Sequence, residues 1–169
     1  MKIIEKQRNS KNCLICGLDN NFGVKAPFYN LEDGSVATVF SFKFEHQSYP
    51  ERVHGGMVGA LLDEVMGRAL WVNEPTTYGV TTTMSVTYRR PVPYDTPIKA
   101  RGYITFNSNL GFSTKGELYD MNGKLLAEAT AKYLKLAANK VTDGVDADEE
   151  MCYLIEDDLK EIDFPPKKI

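Results

Sequence analysis

The fold is decided by the stretch His54-Gly-Gly-Met-Val-Gly-Ala-Leu-Leu-Asp63-Glu-Val-Met-Gly-Arg68-Ala. Its glycine pair ends a loop and begins a helix, and we predict that this helix runs from Gly55 to about Val72, where Asn73-Glu-Pro75 stops it. At about 100° per residue, one face of the helix is apolar and is predicted to pack on a sheet. That face carries Val58, Leu61, Leu62, Val65, Ala69 and Val72.

Strand patterns account for most of the remaining sequence. Residues with alternating apolar character or a high content of Val, Thr and Tyr predict strands at Gly34 to Glu45, Tyr78 to Arg90, Ile98 to Phe106, Phe112 to Tyr119 and Lys124 to Leu136. The turn Asp120-Met-Asn-Gly123 predicts a hairpin. One long helix with about five to six strands, most joined by hairpins, indicates an α+β domain with an antiparallel sheet.

The bulk composition limits the classes of function. The chain has 169 residues with 43% hydrophobic content, which suffices for one domain. We divide it into a lead-in (1–27), the main domain (28–138) and an acidic tail (139–169). A net charge of −3 argues against nucleic-acid binding. No apolar run is long enough for a membrane span, and the first residues lack a secretory signal, so we expect a cytoplasmic protein.

The three cysteines form no evident disulfide framework, because their number is odd. Cys13-Leu-Ile-Cys16 has the spacing of half a zinc site or of a redox pair, but the chain has no second such pair and no nearby histidine. We therefore favour two reduced cysteines in a turn and expect no metal. A four-thiolate site shared by two chains remains an open alternative.

The two adjacent carboxylates of the helix, Asp63 and Glu64, have different predicted roles. Glu64 precedes Arg68 by four residues, which is typical of a surface ion pair. Asp63 lies instead on a strip of small residues that permits close approach of a ligand or a second backbone. We therefore predict that Asp63 is catalytic. His54 is expected to order the start of the helix through hydrogen bonds rather than to transfer protons.

Several motifs together resemble the hotdog-fold acyl-CoA thioesterases. These are His54-Gly-Gly followed after six residues by Asp63, the strand Gly79-Val-Thr-Thr-Thr-Met-Ser-Val-Thr-Tyr88, and the turn Pro91-Val-Pro93. The resemblance runs from about Asn30 to Leu136 and is strongest to the phenylacetate-pathway type within the 4-hydroxybenzoyl-CoA thioesterase superfamily. It implies a long central helix wrapped by the sheet.

The resemblance also implies an active site shared by two chains, in a homodimer or a dimer of dimers. The backbone N–H of Gly56 would polarise the thioester carbonyl. Gly55 precedes it in the glycine pair that starts the helix, and the helix dipole would assist. Asp63 of the other chain would act as general base on water or as a nucleophile. The substrate would be an acyl-CoA, and no cofactor is implied.

Further site residues follow from the same resemblance. Thr81, which lies eighteen residues after Asp63, matches a position that orients water or the carboxylate. Relatives often have an asparagine where this chain has Ser48, so Gln47 or Ser48 is expected to orient the water, with Gln47 preferred. Arg89 and Arg90 are candidates for the CoA phosphates, ahead of Arg101 and Lys115.

The same fold is compatible with two other classes of function, an acyl-thioester hydratase and a non-catalytic domain. An acyl-thioester hydratase typically needs a catalytic histidine paired with an acid, and the glycine pair with Asp63 does not resemble that motif. A non-catalytic acyl-CoA-binding or regulatory domain is the remaining alternative, but binding alone requires no carboxylate beside the thioester.

Overall fold

The computed structural model describes residues 1–141 and 147–167, in which one antiparallel sheet of seven strands carries a single long helix. The order of the strands across the sheet is β1-β2-β3-β5-β6-β7-β4. Their bounds are Ile3–Gln7 (β1), Phe28–Leu31 (β2), Val36–Phe40 (β3), Thr77–Tyr88 (β4), Ile98–Asn107 (β5), Gly111–Asp120 (β6) and Leu125–Ala137 (β7). This confirms the predicted α+β fold.

The long helix α1 spans Gly55–Gly67 and tightens into a 3-10 turn over Arg68–Val72. Its predicted apolar face is buried on the sheet, except that Val72 lies at the rim. The helix packs very closely on β5 and β6 because both strands have a glycine beneath it. A Cβ atom on Gly102 would lie 2.4 Å from the carbonyl oxygen of Val65, and one on Gly116 would lie 2.8 Å from Met66 Cγ.

The lead-in contains a strand that is not among the predicted ones. Ile3–Gln7 pairs with Phe28–Leu31, which was not predicted as a strand either, and forms the edge strand β1. The alternation of apolar residues is weak there, so only the pairing partner reveals the strand. The division of the chain into three parts stays a prediction.

The acidic tail contacts the body of the protein at several points. Tyr153 pairs with Asn9 and Glu161 pairs with Lys2 through isolated bridges. Ile162 and the following Phe164 are buried on the face of the sheet opposite α1, against residues such as Tyr119. The parts of the predicted tail at 142–146 and 168–169 lie outside the described residues, and Ala147–Glu150 forms the short helix α2.

Smaller differences concern the ends of elements. The strand predicted from Gly34 to Glu45 is shorter, because β3 ends at Phe40 and Phe44–His46 forms a 3-10 turn. The four later strands agree with their predicted bounds within a few residues. None of the described helices has the length and apolar character that crossing a membrane would require.

Candidate active site

Asp63 lies in the middle of α1 with its carboxylate held by two hydroxyl groups. Thr81 Oγ1 donates a hydrogen bond of 2.8 Å to Asp63 Oδ1, and the Tyr133 hydroxyl donates one of 2.9 Å to the same oxygen. Among the described residues, no hydrogen bond to Oδ2 is found. The carboxylate is therefore oriented by neutral donors while one oxygen remains available for water or substrate.

Strand register brings these two donors together. Thr81 on β4 is directly opposite Tyr133 on β7, and a register irregularity follows between Thr81 and Thr83. The ring of Tyr133 stacks on Phe112 with 4.7 Å between ring centroids. A Cβ atom on Gly79 would lie 2.6 Å from the ring of Phe112, so the glycine leaves the space that this stack occupies.

The Tyr133 hydroxyl keeps its proton and so remains a hydrogen-bond donor. Burial, and then the charge of Asp63, raise the pKa of Tyr133 well above its ordinary range. The hydroxyl consequently stays protonated at any physiological pH and can donate to Asp63, whose Oδ1 is 2.9 Å and whose carbonyl oxygen is 3.1 Å away. Sequence analysis missed Tyr133, because its place in a strand explains a tyrosine without any function; only the register with Thr81 identifies it.

The start of the helix is arranged differently from the expectation. His54 is the residue that caps α1, and its Nδ1 accepts a hydrogen bond of 2.9 Å from the Gly56 N–H. His54 therefore lies where it orders the helix start, as predicted. The Gly56 N–H, however, is not free in this conformation, because the imidazole of His54 accepts its hydrogen bond.

The neighbouring Gly55 is held by a second residue that the sequence analysis did not identify. Its carbonyl oxygen accepts a hydrogen bond of 2.8 Å from the hydroxyl of Tyr88 at the end of β4. The two residues line a cavity of about 340 Å³ together with Arg89 and Arg90. The start of the helix thus forms one wall of a pocket.

Gln47 and Ser48 lie close to this helix start, not close to Asp63. Gln47 is half-buried and forms an isolated bridge with Val53, the residue before His54, whereas Ser48 is exposed. Within the part of the chain that the structure describes, neither side chain makes a hydrogen bond to Asp63. The structure therefore groups them with Gly56.

The predicted site is consequently split into two parts within one chain. Gly56 and Asp63 are seven residues apart on α1, which at about 1.5 Å of rise per residue separates them by about 10 Å. One carbonyl group cannot lie within hydrogen-bond distance of the first and within reach of the second. A complete site of the predicted kind needs the two parts to come from different chains.

The arginines predicted to bind the CoA phosphates differ in their surroundings. Arg89 donates to Glu128 Oε1 from Nε at 2.9 Å and from Nη2 at 2.7 Å, which offsets its charge. Arg90 is exposed, and among the described residues its guanidinium donates only to the carbonyl oxygen of Leu125. Arg101 is fully buried and paired with Glu117 at 2.6 Å, so its assignment as a weaker phosphate candidate is wrong.

The predicted ion pair of Glu64 and Arg68 is present, but its predicted place on the surface is wrong. Arg68 is 2% exposed, and its guanidinium donates to Glu64 Oε1 at 2.8 Å, to Gln7 and to the carbonyl oxygen of Arg8. It lies over the ring of Phe28 as well, 4.3 Å from the centroid. The lead-in covers this arginine, and that long-range contact has no local signal in the sequence.

The CxxC pair lies beside the same helix. Cys13 and Cys16 line one cavity of about 270 Å³ with Asp63, Glu64 and Tyr133. The hydrogen bond from the Cys16 thiol lowers the pKa of Cys13 to about 7, whereas the same bond and burial raise the pKa of Cys16. Both are free cysteines, like Cys152.

These features define a hotdog fold with a carboxylate oriented on its central helix. In comparisons with known proteins, residues 51–127 match the sequence profile of the thioesterase superfamily. The matched segment includes Gly56, Asp63 and Thr81. No curated protein sequence matches the chain.

Solved structures agree with this result. A thioesterase superfamily protein superimposes with a TM-score of 0.67 at 26% identity, covering 72% of this chain, and the chain spans only 59% of that protein. A phenylacetic acid degradation-related protein from Ralstonia eutropha gives 0.60 at 23% identity over 66% of this chain and 85% of its own. A hypothetical thioesterase from Streptococcus pneumoniae, solved with coenzyme A, gives 0.60 at 18% identity over 66% and 89%.

The predicted resemblance to the thioesterase superfamily and the predicted hotdog fold are thereby confirmed. The sequence profile that matches residues 51–127 is that of a superfamily of thioester hydrolases, the enzyme class predicted from the sequence.

Proposed function

We propose that this protein hydrolyses an acyl-CoA thioester to the free acid and CoA. The observation that carries the proposal is the carboxylate of Asp63, which is oriented through Oδ1 by Thr81 and Tyr133 and open at Oδ2. Hydrolysis needs such a group, whereas binding alone does not. The superfamily match over residues 51–127 supports the same reaction.

Asp63 has two possible chemical roles that share this geometry. As a general base, Oδ2 takes a proton from water while the water oxygen attacks the thioester carbonyl. As a nucleophile, Oδ2 attacks the carbonyl itself, CoA leaves as a thiolate, and water then hydrolyses the mixed anhydride. A single turnover in ¹⁸O-labelled water distinguishes them, because attack of water on the aspartyl carbonyl of the anhydride leaves the label in Asp63.

The proposal requires an assembly of two chains. Strand β4 lies at one edge of the sheet and is long and mostly exposed along Thr77–Tyr88. Such an edge is a template for pairing with another chain, and we propose that β4 strands of two copies pair. A homodimer, alone or within a dimer of dimers, then brings Gly56 of one copy to Asp63 of the other.

The CoA end of the substrate is assigned to the cavity at the helix start. Arg90 is the stronger phosphate candidate because its guanidinium has only a carbonyl partner within residues 1–141 and 147–167, whereas Arg89 is already paired with Glu128. Gln47, or Ser48 beside it, orients water or the carbonyl near Gly56. His54 leaves the Gly56 N–H when the thioester oxygen takes its place. With three free cysteines, the protein suits the reducing cytoplasm.

The test is release of CoA thiol from a panel of short, medium, long and aryl acyl-CoAs. We expect turnover of at least one ester, lost in Asp63→Asn and kept in Asp158→Asn, which makes the same chemical change at an exposed aspartate of the tail. Tight binding of acyl-CoA without any turnover would overturn the enzyme assignment and favour an acyl-CoA-binding or regulatory domain.

A further inference from the structure

Three side chains with metal-binding atoms meet beside the central helix. Cys13 and Cys16 come from the lead-in and Glu64 from α1, and one ligand atom from each lies within 4.8 Å of the other two. Cys13 Sγ is 3.8 Å from Glu64 Oε2. Sequence analysis found only half a metal site here, because Glu64 is 48 residues beyond Cys16 and had been assigned to a surface pair.

The spacing suits tetrahedral coordination of a zinc ion. Zinc–sulfur bonds of about 2.3 Å and a zinc–oxygen bond of about 2.0 Å place sulfur and oxygen about 3.5 Å apart at the tetrahedral angle. The observed 3.8 Å is close to that value. Two thiolates and a carboxylate are also a donor set that zinc accepts, whereas magnesium and calcium prefer oxygen ligands.

Groups around the cluster already hold its members in place. Arg68 Nε binds Glu64 Oε1 at 2.8 Å, which leaves Oε2 directed to Cys13. The Ile15 N–H donates to Cys13 Sγ at 3.3 Å, and Ser10 Oγ lies 3.3 Å from Cys16 Sγ. Outer contacts of this kind orient the ligands of metal sites and are needed for full affinity.

A buried donor without a hydrogen-bond partner provides an independent indication. Arg68 is 2% exposed, and its Nη2 is buried without a hydrogen-bond partner among the described residues. A divalent cation bound by two thiolates and one carboxylate leaves a net charge of −1 on the site, so the charge of Arg68 stays balanced when the metal binds. A metal–thiolate group next to Arg68 would also give its unpartnered N–H an acceptor.

We propose that Cys13, Cys16 and Glu64 bind one zinc ion per chain. Binding breaks the two S–H bonds, releases both protons to solvent and forms two Zn–S bonds, with no change of oxidation state. Water from the cavity shared with Asp63 occupies the fourth position. The site ties the lead-in to the central helix, and its ligands are residues that the proposed thioesterase reaction does not use.

The experiment uses the full-length reduced protein, stripped of metal with a chelator and titrated with Co²⁺ without oxygen. We expect the cobalt–thiolate charge-transfer band to saturate at one equivalent per chain and zinc to displace it. Cys13→Ser and Cys16→Ser abolish the band, whereas Cys152→Ser, the matched change at the exposed third cysteine, keeps it. Glu64→Gln weakens binding at least about tenfold.

A measurement on the wild-type chain covers the case in which a variant fails to fold. Zinc should protect Cys13 and Cys16, but not Cys152, from alkylation, as read by mass spectrometry of peptides. The proposal is overturned if no band forms and zinc gives no protection. It is equally overturned if the band saturates at half an equivalent per chain and ignores Glu64→Gln, since that indicates four thiolates shared by two chains.

Discussion

Asp63 and Glu64 are neighbours on one helix, yet their carboxylates have opposite surroundings. Asp63 accepts hydrogen bonds from two uncharged hydroxyls, Thr81 and Tyr133, and keeps one oxygen open. Glu64 is bound to the guanidinium of Arg68, which is buried. Neutral donors orient a carboxylate without neutralising it, whereas an ion pair commits its charge to structure. The comparison therefore assigns the reaction to Asp63 and the stability of the helix–lead-in contact to Glu64.

The largest expected difference between Asp63 and Glu64 is in their effect on catalysis. Asp63→Asn keeps the size of the side chain but removes the base or nucleophile, so kcat on the best acyl-CoA should fall by about 10²- to 10⁴-fold. Thermal unfolding should change little, because an amide still accepts hydrogen bonds at Oδ1. An Asp63→Asn enzyme with more than a tenth of wild-type kcat would contradict the assignment.

Stability should depend on Glu64 more than on Asp63, the reverse of the order expected for catalysis. Glu64→Gln leaves the buried guanidinium of Arg68 without its charged partner, which should lower the free energy of unfolding by about 1.5–3 kcal/mol. The matched control is Glu128→Gln, which breaks the exposed pair with Arg89 and should cost less than about 1 kcal/mol. Urea unfolding measures both. Equal losses in the two variants would show that burial of Arg68 adds nothing to its pair.

The hydroxyl donors should have a smaller effect on rate. Thr81→Val and Tyr133→Phe each remove one hydrogen bond to Asp63, worth about 0.5–1.5 kcal/mol, so kcat should fall about 2- to 10-fold with KM little changed. Thr105→Val makes the same change at an exposed position of β5, away from the proposed β4 edge, and serves as the control. A rise in KM at constant kcat would instead indicate a role in substrate binding.

The smallest effect is expected at the helix start. His54→Ala removes the acceptor of the Gly56 N–H and should lower the free energy of unfolding by about 1 kcal/mol. His54→Asn supplies another capping acceptor and should restore most of the loss. If both variants are equally unstable, the role of His54 lies in something other than its bond to Gly56.

The sequence predicted the elements of the fold better than the contacts between them. Periodicity located α1 and the four strands after it, since both patterns are local. It missed β1, whose residues alternate weakly, and it placed Arg68 on the surface because Gln7, Arg8 and Phe28 reach it from far along the chain.

The site shows the same limit. Asp63 and Thr81 could be identified from motifs, but Tyr133 depends on the register of β4 against β7. The cap of His54 on the Gly56 N–H depends on a side-chain rotamer. Neither the strand register nor the rotamer of His54 can be predicted from the local sequence.

The central claim is that Gly56 and Asp63 of one active site belong to different chains. Mixing two inactive variants tests it most directly: Asp63→Asn, and Gly56→Pro, which removes the amide hydrogen in the first helical turn where proline is tolerated. After unfolding and refolding together in equal amounts, half of the dimers are mixed, and each should contain one intact site, so activity should return to about one quarter of wild type. No recovery in verified mixed dimers would contradict the shared site.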